Sequence, residues 1–255
     1  MSRFIAALPM YDWPEVRSEV DAQWAQLKDA LRRRGIDAPE ALTRQNRPAG
    51  EFDPDALWRD PALLFAQTCW GPMGLGLGNH VQVIGQPDYS AFEGGLGEFY
   101  SSAVVMRRAS SPDNGAGDAP APPDGRAMLP LHLLRGGRLA FNSPDSMSGI
   151  LALTGDLEAM GEGIGIFAGH VASGGHRASI VAVAQGRADV AAIDCRSWAM
   201  ARRFEPAARE LAVVGWTGRR KGLPYICAEN LPPQTVAALR EAAAEAGMLA
   251  AGDGA

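Results

Sequence analysis

Residues 138–161 read RLAFNSPDSMSGILALTGDLEAMG. The apolar run Arg138–Phe141 is expected to be a strand, and ILALTGDLEAMG a helix. Between them, NSPDSMSG (142–149) holds more hydroxyls than a joint of this kind needs, since one Ser or Asp satisfies a helix start. Two readings of the segment stay open. Either Asp145 or Ser146 caps the helix and the rest is ordinary loop, or the joint is an anion site. A helix start leaves about four N–H groups without partners and carries about half a positive charge. Ser146 and Ser148 would add hydroxyl donors there, and Gly149 would let a ligand approach the backbone.

The same strand-to-helix rhythm recurs on both sides. Phe4–Leu8 is expected to be a strand. Glu15–Arg34 is an amphipathic helix, with Val16, Val20, Trp24, Leu27 and Leu31 at three- and four-residue steps and Gly35 closing it. A short helix is expected at Asp55–Arg59, with strands within 60–69, 80–89 and 99–108. Residues 109–128 are rich in Pro, Gly, Ala and Asp and are expected to form a flexible loop. Beyond them come strands at 138–142, 165–172, 189–193, 211–217 and 223–229. Helices are expected from Asp145, over 176–187 and over 232–247, with a frayed tail at 250–255. Such alternation implies an α/β fold of mostly parallel sheets flanked by helices. Ligands in such sheets bind beyond the carboxyl ends of the strands. This directs attention to Tyr11, Thr68, Ser143–Ser148, Ser173–His176 and Asp194.

Composition narrows the classes. With 255 residues, 47% of them apolar, the chain can bury a large core as one domain or two lobes. A net charge of −5 argues against nucleic acid as a partner, because such binders carry a basic face. There is no apolar run of about 18 residues, so no membrane insertion is expected. The three cysteines, Cys69, Cys195 and Cys227, show no zinc or CxxC spacing and read as small buried residues, with a reactive thiol at Cys69 as the alternative. His170 and His176 have no acidic partner arranged for metal. GLGLGNH (74–80) lacks the strand–helix context of a phosphate loop, so no cofactor is expected. FIAALPM (4–10) is too short for a secretory core of about 7–15 residues followed by a cleavage site. Taken as it stands, the chain is expected to be cytoplasmic. It would be periplasmic if it is a processed form or its start lies elsewhere.

His176 stands at a helix start after two glycines, where its imidazole could donate to an oxyanion or simply cap the helix. Asp194 ends the strand DVAAI, where it could cap the next helix. It could also accept the proton of a singly protonated phosphate or phosphonate, which would select against fully ionised anions such as sulfate. Donors from Ser and His with one acceptor Asp suit a protonated tetrahedral oxyanion, provided that the three loops converge.

LAFNSPDSMSG (139–149), GHRASIVAVAQGRADVAAID (175–194) and FYSSAVVMRR (99–108) together resemble the phosphate, phosphite and phosphonate substrate-binding proteins of ABC importers. The resemblance spans nearly the whole chain except 109–128 and the tail. It implies a type II periplasmic-binding-protein fold: two α/β lobes joined by crossing strands, with the ligand in the cleft. Residues 1–104 and 214–255 would build the first lobe and 105–213 the second. The resemblance also implies a small phosphorus oxyanion or organophosphonate as ligand, an ABC permease as partner, and no turnover. By motif position, Ser146, Met147 and Ser148 would form the anion loop, His176 would be the cleft histidine and Tyr100 an aromatic near the hinge. Tyr11 and Asp194 would be further matches, and Thr68, just past its strand, completes the candidate ligand contacts by position alone. Met147 stands where a third hydroxyl is common, which leaves only its backbone N–H as donor. An enzyme on the same scaffold, using Cys69 or His176, and a cytosolic ligand-sensing module are the alternatives.

Overall fold

The computed structural model describes residues 3–44, 54–108 and 118–251. These divide into two compact units, one of residues up to Asp88 and from Gly222 onward, the other spanning Tyr89–Lys221. The boundaries expected from the sequence lay later on the outward passage, at 104/105, and earlier on the return, at 213/214. Strand pairing accounts for the difference, because residues 102–107 and 211–216 belong to one sheet of the second unit.

The first half of the chain supplies β1 (Ile5–Ala7), α1 (Arg17–Arg33), α2 (Pro54–Trp58), β2 (Leu63–Gln67), α3 (Trp70–Gly74) and β3 (Val81–Gly85). Then follow β4 (Gly95–Leu96), β5 (Phe99–Tyr100), β6 (Ser102–Arg107), α4 (Leu131–Leu134), β7 (Arg138–Phe141) and α5 (Ala152–Ala159). After these come β8 (Gly169–Ala172), α6 (His176–Ala184), β9 (Val190–Asp194), α7 (Cys195–Phe204) and β10 (Leu211–Trp216). The chain ends with β11 (Arg220–Lys221), β12 (Tyr225–Ala228) and α8 (Pro233–Glu245).

In the first unit the sheet runs β1-β2-β12-β3. Every residue of β2 is buried, as expected of a strand covered on both faces. Helix α1 turns Val20, Trp24, Leu27 and Leu31 inward. It ends where Gly35 takes the left-handed conformation at φ 74°, a C-terminal position that favours glycine. Arg33 and Arg34, at that end, reach Glu245 of α8, and Arg34 also reaches Glu241.

The second unit carries a sheet of order β10-β6-β9-β7-β8 and a small one of order β11-β5-β4. Its core packs Leu153 and Leu157 of α5 against Val104, Leu139 and Val190 from the strands. The sheets are mixed, not mostly parallel. Among the described residues only β1–β2, β9–β7 and β7–β8 run parallel, while β6, β10 and β12 pair antiparallel with their neighbours.

Three elements differ from the sequence-based expectation for local reasons. The single strand expected over 99–108 breaks at Ser101, whose N–H donates to Gly94 while its carbonyl accepts from Cys195. The chain there leaves the small sheet for the large one. The strand expected over 165–172 is confined to β8, since its one partner, β7, is only four residues long. Of the loop expected over 109–128, residues 109–117 lie outside the described residues, as does the tail from 252. Residues 118–128 are tied down: Ala119 and Val213 share a backbone bond, Trp216 Nε1 donates to the Ala119 carbonyl, and Met128 bridges to Trp216. The strap covers the edge strand β10 and so protects an edge that would otherwise offer free backbone groups.

Candidate functional site

Strands β9, β7 and β8 run parallel and in register, with Leu139 opposite both Val190 and His170. Their carboxyl ends therefore share one edge of the sheet. The three segments that leave this edge are 142–149, 173–176 and Asp194.

The first of them is built around Ser146. Its Oγ accepts from the Gly149 N–H at 3.1 Å, and its carbonyl accepts from both Ile150 and Leu151. The next turn, Met147–Leu151, is a π-turn in which the Ala152 N–H reaches back five residues to the Met147 carbonyl. The helix expected from Asp145 thus becomes α-helical only at Ala152. Single π-turns of this kind recur at functional sites. A Cβ at Gly149 would crowd Asn142 Oδ1 and Ser146 Oγ, so any larger residue there would displace those side chains.

Ser148 Oγ lies 2.8 Å from His176 Nε2, and the same nitrogen lies 3.1 Å from Asp194 Oδ2. The His176 and Asp194 side chains are 10% and 2% exposed, so the contact is shielded from water. Asp194 also caps α7, its Oδ1 accepting from the Ser197 N–H at 2.9 Å. Burial is the strongest single influence on this carboxyl and opposes ionisation. The imidazole of His176 and the donors of Ser197 together outweigh it and hold the group below its ordinary range. An ionised carboxylate only accepts, so Nε2 must carry the proton. Ser148 Oγ then shares that proton as an acceptor, and its own O–H points away from the imidazole as a donor. His176 Nδ1 is buried and has no partner among the described residues.

The set contains Ser, His and Asp without forming a nucleophilic relay. In such a relay the carboxylate holds one ring nitrogen and the hydroxyl the other. Here both meet Nε2, which cannot accept the serine proton while it donates to Asp194. A hydroxyl donor beside one buried acceptor suits the binding of a tetrahedral oxyanion that retains a proton.

The structure thus brings together Ser148, His176 and Asp194, with Ser146 as the cap of their turn and Met147 half-buried within it. Tyr100 is fully buried at the end of β5 and packs against Tyr89 with ring centroids 5.4 Å apart. Tyr11 and Thr68 belong to the first unit, where they follow the parallel strands β1 and β2. The Thr68 hydroxyl is buried and without a hydrogen-bond partner. Ser102 was not anticipated: its hydroxyl donates to the Ser148 carbonyl at 3.0 Å from within β6. A lone Ser inside a strand gives no local signal of that contact. Cys69, Cys195 and Cys227 are all buried and unbridged. Burial pushes the Cys227 thiol up to about 12, and burial beside Asp194 raises that of Cys195. Among the described residues no three His, Cys, Asp or Glu side chains are grouped to hold a metal, and no helix is long and apolar enough to cross a membrane.

Two α/β units, each on a mixed sheet, with polar groups gathered at a carboxyl edge, define a substrate-binding protein of the periplasmic type. Residues 78–253 match the sequence profile of the ABC transporter phosphonate periplasmic substrate-binding proteins, and the chain belongs to that family. No curated protein matches it in sequence. Among solved structures, PhnD1 of Prochlorococcus marinus in complex with methylphosphonate is similar over 94% of this chain and 83% of its own, with 17% identity and a TM-score of 0.65. XAC2383 of Xanthomonas citri, bound to chloride, is similar over 94% and 83%, with 18% identity and a TM-score of 0.62. A binding-protein component of the ABC phosphonate transporter of Pseudomonas aeruginosa, PA3383, is similar over 97% and 80%, with 15% identity and a TM-score of 0.60. At these identities the likeness is one of fold.

Proposed function

We propose that this member of the family binds a small phosphorus oxyanion or organophosphonate in a singly protonated form and delivers it to an ABC permease. The observation that carries the reading is the shared Nε2 of His176, 2.8 Å from Ser148 and 3.1 Å from Asp194. It leaves the Ser148 hydroxyl as a donor beside Asp194, the proposed acceptor for a P–OH proton. Ser146 holds the turn in shape, and Met147, within that turn, is proposed as a further ligand contact. Tyr100, Tyr11 and Thr68 are proposed as further ligand contacts. The unpartnered hydroxyl of Thr68 supports its inclusion, since buried polar groups rarely lack a partner. No chemical turnover is proposed: His176 is not placed to act as a base toward Ser148, and Cys69 is buried. The family's place of work, the periplasm, is the proposed site of action.

Titration calorimetry near pH 7 with methylphosphonate, phosphite, phosphate and sulfate tests this. Binding of at least one phosphorus anion, with none of sulfate, is the expected result. Neither heat nor a thermal shift with any phosphorus anion overturns it.

A further inference from the structure

We infer that Ser102 is a positioning residue of the anion site; its effect on affinity rests on the phosphonate reading above. Ser102 is fully buried on β6. Its hydroxyl donates to the Ser148 carbonyl at 3.0 Å, and in the β6–β9 ladder it stands directly opposite Asp194. Its backbone is locked in turn by Thr217, whose Oγ1 accepts the Ser102 N–H at 2.8 Å and whose N–H donates to the Ser102 carbonyl at 2.9 Å. One side chain therefore ties the anion turn to the strand that faces the carboxylate.

The shape of the turn explains why such a tie is needed. Met147–Leu151 is wound wider than an α-helix, so its carbonyls give up regular four-residue bonding. A carbonyl oxygen has two lone pairs, and a fixed hydroxyl from a neighbouring strand holds Ser148 in the wide form. In that form Ser148 Oγ meets His176 Nε2. Without the tie, a buried carbonyl loses a donor, and the turn loses its reference to Asp194.

The test compares Ser102→Ala and Ser102→Cys with Val104→Ala, a core truncation on the same strand that removes no polar contact. Amide exchange over 149–152 is measured on the ligand-free protein, and methylphosphonate affinity by calorimetry well below each melting temperature. Ser102→Ala is expected to speed exchange and raise Kd about tenfold each, the worth of one buried hydrogen bond. Ser102→Cys keeps the shape with a weaker donor and should fall between wild type and Ala; it also stands in should the Ala variant not fold. Val104→Ala should lower Tm while leaving Kd within about twofold. Unchanged exchange and Kd in both Ser102 variants, or an equal loss of affinity in Val104→Ala, overturns the assignment. Faster exchange in a protein whose wild type takes none of methylphosphonate, phosphite and phosphate supports the positioning role and refutes the ligand reading instead.

Discussion

Strand β9 is flanked by an aspartate at each end, and the two are used in opposite ways. Asp189 precedes it and Asp194 ends it. Asp189 is 33% exposed and is gripped by Arg138, whose backbone N–H, Nε and Nη2 all donate to it at 2.8 Å. Its partner is a permanent cation, and the pair fastens β7 to the start of β9. Asp194 is buried and shares a ring nitrogen with a serine hydroxyl. Its partner is an imidazole, and its Oδ1 accepts from the Ser197 N–H. The amino end of the parallel strands is thus closed by a saturated ion pair. The carboxyl end instead carries the buried Ser148–His176–Asp194 cluster, the site proposed for the anion.

The strongest way to break this contrast is Asp194→Ala. It removes the partner of His176 and the cap of α7 together with the proposed acceptor for a P–OH proton. Truncating one member of a buried, hydrogen-bonded pair costs about 3 kcal/mol or more, so methylphosphonate affinity should fall by at least about 100-fold. Calorimetry on the folded variant checks this. An affinity within about tenfold of wild type would mean that Asp194 is only a cap.

Ser148→Ala should have a smaller effect. It removes one donor and leaves the His176–Asp194 contact and the turn N–H groups in place. A loss of roughly 10- to 30-fold in Kd is expected, the worth of a hydrogen bond to a charged group. Melting temperature should move little, because the turn is held by Ser146 and Ser102. A drop in Tm as large as that of a core truncation would show Ser148 to be structural.

The site was legible in part. Ser148, His176 and Asp194 could be marked from the sequence because each stands just past an apolar run, where parallel sheets place their ligands. Their convergence could not, because it depends on β7, β8 and β9 sharing direction and register. Strand direction leaves no trace in local periodicity, so the antiparallel pairing of β6 and β10 went unseen and the sheets were expected to be mostly parallel. Ser102 reads as one more polar residue in SSAVVMRR, and only the fold brings its hydroxyl to the Ser148 carbonyl. The π-turn was hidden for a similar reason, since a cap at Ser146 is compatible with either a regular or a widened first turn. Residues 118–128 were misjudged by composition: Pro and Gly leave little to bury, yet a strap on a sheet edge is held mainly by backbone bonds and Trp216.

The smallest effect sharpens the comparison from the other end. Asp189→Asn should leave methylphosphonate affinity within about twofold, because Asp189 lies at the end of the strands opposite the proposed site. Its cost falls on stability. The side-chain hydrogen bond from Arg138 is the largest influence on the Asp189 carboxyl and holds it down at about 2, against an ordinary value of 3.8. A depressed carboxyl stabilises the fold above its unfolded-state value, and that contribution is lost as pH falls toward the folded value. Asp189 is partly exposed and screened, so about 1 kcal/mol at neutral pH is a fair magnitude, or about 2–4 °C in Tm. The gap in Tm between wild type and Asp189→Asn should therefore be full above about pH 4 and close between pH 4 and 2. Thermal melts of both proteins across that range decide the matter. A gap that persists at pH 2 would assign the loss to the backbone contact with Arg138 and not to the charge.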